Sequence, residues 1–187
     1  AMIRGKELLL AFFVCILIAA CYGVVLLFTQ QIPAAGGFFG HAVGILGFIL
    51  MLMTESLYSL RKRSRLARWG RMVDWLQFHI FTGIVGPFMV LLHSSWKFNG
   101  LAGVTILLTG IIVLSGFTGR YIYTRIPRRF DGTEDPGLAA AMKASALVNA
   151  RRLFALWQTI HIPIGMALFT AAFVHIIGAL YYSTLLR

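Results

Sequence analysis

The sequence predicts an all-α integral membrane bundle of five transmembrane helices, and three observations carry that prediction. Of 187 residues, 59% are apolar and only 12% are charged, against roughly 45–50% and about 25% in soluble domains. The apolar residues gather into five runs, each long enough to cross about 30 Å of hydrocarbon at about 1.5 Å per residue. The charges stand between those runs and are nearly absent from them. In a soluble chain a net charge of +11 would suggest a polyanion partner. Its placement between apolar runs instead makes it a topology signal, so the expected partner is membrane lipid and no nucleic acid.

Leu8 to Thr29 forms the first span. Arg4 and Lys6 precede it as in a signal peptide, but a run of about 20 residues exceeds the usual 7–15, so it is read as a retained helix. Cleavage after Ala34 or Ala35 is the alternative. Cys15 and Cys21 in this run fit no metal-binding or cofactor-attachment spacing and read as small packing residues. Phe38 to Leu60, Trp75 to Ser94, Leu101 to Tyr123 and Leu153 to Leu185 supply the other four spans. One membrane domain thus covers 1–187, with 124–152 as its largest extramembrane loop. In that loop, Ile126 to Gly137 carries two prolines, two glycines and three acids and reads as irregular. The Ala-rich stretch Leu138 to Ala150 reads as a short surface helix leading into the fifth span.

Fifteen of the seventeen basic residues fall on one side of this arrangement, including the run from Arg61 to Arg71 and the group Arg120, Arg125, Arg128 and Arg129; the other side has Lys97 and Arg187. Basic loops remain in the cytoplasm. The expected orientation is N-terminus inside and C-terminus outside, as a multi-pass protein of the bacterial cytoplasmic membrane.

Four of the five histidines form two pairs with one spacing, His79 with His93 on the third span and His161 with His175 on the fifth. Fourteen residues is close to four helical turns, so each pair shares a face with its members about 21 Å apart along the axis. One helix separates the two spans, so they run parallel, and His79 comes level with His161 and His93 with His175. A single intramembrane histidine reads as a packing residue or a proton relay. Two opposed pairs at matched depths suit two b-type haems stacked across the bilayer, each iron held by one imidazole from each helix. The metal ligands are then His79 and His161 at the inner haem, and His93 and His175 at the outer.

Neighbouring residues fit the same pattern. Trp lies four before and Gly four after the inner histidine in both Trp75–Gly83 and Trp157–Gly165, which reads as an internal repeat. Gly83 and Gly165 lower the helix surface for a flat macrocycle, as small residues do for neighbouring helices. Gly86, Gly110, Gly116 and Gly178 serve either that purpose or ordinary close packing, and Trp75 and Trp157 serve as cofactor contacts or interface anchors. Anionic propionates need cations or hydrogen-bond donors. Arg71, Arg120, Arg151 and Arg152 are the inner candidates, and Ser94, Trp96 and Lys97 the outer ones.

Two histidines fourteen apart on each of two membrane helices resemble the di-haem core of cytochrome b and of the ferric reductase and NADPH oxidase family. The resemblance covers about Trp75 to Tyr182, and placement on the third and fifth helices is closer to the latter group. It implies axial roles for His79, His93, His161 and His175. The Pro-Glu-Trp-Tyr quinol oxidation motif of cytochrome b and a flavin or nicotinamide fingerprint are absent from these residues.

The expected function is therefore electron transfer: a subunit of a membrane oxidoreductase carrying electrons between quinone and redox partner proteins. A quinone site needs a proton-handling group, and Glu55, Tyr58, Asp74 and His41 are the candidates. For Glu55 an ion pair with the basic run from Arg61 is the expected role. The alternatives are a ferric reductase-like protein with an outer acceptor and a non-redox membrane scaffold.

Overall fold

The computed structural model describes residues 5–63, 70–127, 133–142 and 144–184. Its described residues form six helices: α1 Lys6–Thr29, α2 Phe38–Arg63, α3 Met72–His93, α4 Gly100–Thr124, α5 Pro136–Ala141 and α6 Ala144–Thr184. All but α5 are long and apolar enough to cross a membrane. Most side chains on them are exposed or half-buried, including Phe12, Leu27, Leu107 and Ile177. Such helices are unstable in water and suited to lipid, where the backbone is satisfied within each helix.

The helix ends follow local chemistry. The Asp135 side chain accepts from the backbone N–H groups of Gly137 and Leu138, and Pro136 occupies the first helical position, so α5 begins there. The stretch expected as one surface helix, Leu138 to Ala150, is instead divided. Its first part belongs to α5, and from Ala144 the chain is already in α6, which continues unbroken through Pro163 to Thr184. The Ala-rich sequence lets α6 start nine residues before the expected Leu153. Its first turns are held by a small cluster of Leu147, Ala150 and Ile126. Likewise α3 starts at Met72, where Arg71 and Asp74 form an ion pair across the first turn at 2.8 Å.

Helix α2 lies along α3 and α4 lies along α6, while α1 packs on α3. The α2–α3 crossing is made by Gly47 and Gly86: a Cβ on Gly86 would sit 2.9 Å from the Gly47 carbonyl oxygen. Such proximity of backbones is what small residues permit in membrane bundles. On the other face of α3, Ala11 of α1 packs with Val85 and Met89, flanked by Cys15. Among the described residues α3 and α6 have little direct contact. Phe48 of α2 fills part of the gap halfway along, its ring 6.3 Å from Phe169 and 5.5 Å from Phe173.

Candidate functional site

The gap between α3 and α6 holds the candidate site. A cavity of about 460 Å³ is enclosed by α2, α3, α4 and α6, and both His79 and His161 line it. This volume lies within the range of about 300–1,000 Å³ typical of small-molecule and cofactor sites. The two imidazoles are electrostatic neighbours across it. His93 and His175 are a second pair of neighbours at the other level. His79 is thus associated with His161 and His93 with His175, in the parallel order expected from their spacing.

Three of the four rings are oriented through Nδ1. His79 Nδ1 donates to the Thr54 carbonyl at 2.9 Å and His93 Nδ1 to the Gly40 carbonyl at 2.8 Å. A carbonyl only accepts, so in both rings Nδ1 carries the proton and Nε2 keeps its lone pair. His161 Nδ1 lies 3.0 Å from Ser115 Oγ. Fixing one ring nitrogen by a hydrogen bond is the arrangement found around metal-binding imidazoles. Around His79 the support is a polar clasp between α2 and α3: the Thr54 and Thr82 hydroxyls are 2.7 Å apart, and Thr82 is fully buried.

Glycines shape the cavity walls. Gly83, Gly116 and Gly165 all line it, and a Cβ at each would have nothing nearer than 3.4 Å, so side chains there would grow into the open space. Gly86 belongs to the α2–α3 crossing instead, and Cβ atoms at Gly110 and Gly178 would meet nothing within 4 Å. Trp157 lines the cavity and takes the role of a bundle residue. Its ring centroid is 4.6 Å from that of His161, and Nε1 donates to the Ser115 carbonyl at 2.7 Å. Gly119 makes room for it, since a Cβ there would fall 2.1 Å from the indole. Gly44 does the same for His93, with a Cβ position 2.6 Å from Nδ1. Neither Gly44 nor Gly119 stood out in the sequence, where nothing marks which of many glycines faces a ring.

No family model, no curated protein and no solved structure matches this chain.

The charged candidates separate. Arg120 lines the cavity and forms an ion pair with Glu7. Arg71 is exposed, pairs with Asp74 through two hydrogen bonds, and does not line the cavity. Arg151 pairs with Glu134, and Arg152 is exposed. At the other level Ser94 Oγ donates to the Leu91 carbonyl, and Trp96 and Lys97 are exposed. Glu55 differs from its expected role. It lines the cavity and has no ion-pair partner among the described residues, while Arg61 turns away to donate to the Gly70 carbonyl at 3.1 Å. Asp74 is taken up by Arg71, and the Tyr58 side chain lies outside the described residues. His41 is exposed, with its ring 6.4 Å from that of His93.

The donor set limits what could bind. Among the described residues no three His, Cys, Asp or Glu side chains converge, so an ion relying on protein ligands alone has no full shell there.

Proposed function

We propose that this chain is the di-haem b-type cytochrome subunit of a membrane oxidoreductase. It would pass electrons between a quinone and redox partner proteins, with the cytoplasm on the His79–His161 side. The observation that carries this reading is the facing of His79 and His161 across one apolar cavity, each with Nδ1 already engaged. When bound, haem supplies reversible one-electron exchange at its iron. His79 and His161 would hold one iron, and His93 and His175 the other.

The chain's other residues have separate duties in this reading. Gly83, Gly116 and Gly165 leave the room a flat macrocycle needs, and Arg120 offers a cation to a propionate at the cavity edge. The Thr54 and Gly40 carbonyls hold the His79 and His93 imidazoles in the tautomer and rotation that iron would require, and Ser115 orients the His161 ring. Glu55, on the cavity wall, could take a proton from or give one to a bound quinone. His41 favours the second reading, an outer acceptor reduced directly, because it is exposed beside His93.

Dithionite reduction of the purified protein tests the haem reading. The expected spectrum has sharpened Soret and alpha bands and two haems per chain, and a featureless visible spectrum rejects it. Reduction by a quinol in proteoliposomes then separates the two roles. Haems that stay oxidised with quinol but are reduced by a soluble flavoprotein exclude the quinone role.

A further inference from the structure

Glu7 and Arg120 are far apart in sequence and opposite in charge, with Glu7 buried and Arg120 half-buried. The Glu7 side chain is 3% exposed and that of Arg120 17%. Their ion pair joins α1 to α4, two helices with little other packing between them among the described residues. Removing two ions from water costs several kcal/mol each, and an apolar pair would tie the helices as well. Stability alone therefore gives a poor account of it. Neither partner is fully satisfied among the described residues, where Glu7 Oε2 and Arg120 Nε are buried without hydrogen-bond partners. Arg120 has a second connection, since it lines the cavity shared by His79 and His161.

We propose that Glu7 is a positioning residue that fixes the Arg120 guanidinium at the cavity wall and balances its charge there, so that neither charge alone biases the redox potential at the His79–His161 level. The inference rests on the haem reading above. Ferric haem carries one more positive charge than ferrous, and in a poorly polarisable interior nearby charges act strongly. Losing the Glu7 anion leaves an uncompensated cation and favours the reduced form. Losing the Arg120 cation leaves an anion and favours the oxidised form.

Spectroelectrochemical titration of the whole protein tests this with E7Q, R120Q and the double variant E7Q/R120Q. The expected result is a higher potential at one haem in E7Q and a lower one in R120Q. Each shift is on the order of tenfold in the reduction equilibrium, about 59 mV for one electron. The double variant returns close to the parent, and the other haem is unmoved in all three. Equal shifts at both haems, shifts of the same sign in both single variants, or bound haem whose potential does not move would overturn the proposal. If neither single variant accumulates, recovery in the double variant supports the pair and failure to recover counts against it. A parent without haem bands removes the underlying reading, an outcome distinct from haem that is bound but indifferent to the pair.

Discussion

The Thr54 carbonyl accepts from His79 Nδ1 at 2.9 Å, and fourteen residues earlier on the same helix the Gly40 carbonyl accepts from His93 Nδ1 at 2.8 Å. Helix α2 thus repeats, in antiparallel register, the fourteen-residue spacing of the histidines on α3. It holds both rings with backbone atoms, which no side-chain substitution can remove. The register depends on how closely α2 approaches, and that is set by its glycines.

Gly44→Ala tests this dependence. Its Cβ would fall 2.6 Å from His93 Nδ1, so either the ring or α2 must move, at a cost of about 1–3 kcal/mol for overpacking. The expected outcome is loss or broadening of the haem signal at the His93–His175 level, with the other level retained. Haem per protein and the low-temperature alpha band measure it. Unchanged bands at both levels would show that the Gly40 carbonyl does not hold His93 in place.

Ser115→Ala removes the hydroxyl beside His161 Nδ1 and leaves the backbone carbonyl that receives Trp157. Loss of such an orienting partner typically costs about 10–100-fold in metal affinity. Haem at the His79–His161 level is expected to become that much easier to extract by a competing apo-haem protein. Ser115→Thr, which keeps a hydroxyl, should restore retention.

Much of this was legible in the sequence because it depends on period and polarity. Five apolar runs gave five long helices, and fourteen-residue spacing on two parallel helices brought His79 to His161 and His93 to His175. What depends on packing between distant segments was not. Leu138 to Ala150 has good helix composition throughout, yet only the fold decides where α5 ends and α6 starts. Arg71 and Arg120 look alike as basic residues near span ends. One is neutralised by Asp74 three residues away, and the other lines the cavity and pairs with Glu7 on another helix. Glu55 sits one to two turns from a basic run, but α2 turns it toward the cavity and sends Arg61 to Gly70.

The glycines separate into classes with opposite expected effects. Gly119→Ala would place a Cβ 2.1 Å from Trp157, displacing the indole from the Ser115 carbonyl and destabilising the bundle by about 1–3 kcal/mol. Gly110→Ala meets nothing within 4 Å and should stabilise α4 by about 0.5–1 kcal/mol through its helix preference. Thermal unfolding in detergent compares the two. An equal effect at both positions would contradict the α4–α6 packing described.

Replacing each of the four histidines provides the most direct test of the proposed pairing. On the haem proposal, His79→Ala and His161→Ala should each remove one haem, the same one, leaving about half the absorbance in either variant, because a group that would be held between two imidazoles loses one of them. His93→Ala and His175→Ala should remove the other. The four variants therefore fall into two spectral classes, and the classes cross between α3 and α6 rather than following a helix. Grouping by helix instead, with His79 and His93 in one class, would contradict pairing by level. Arg71→Ala is the control: its guanidinium is held by Asp74 outside the cavity, so both haems should remain at parental stoichiometry.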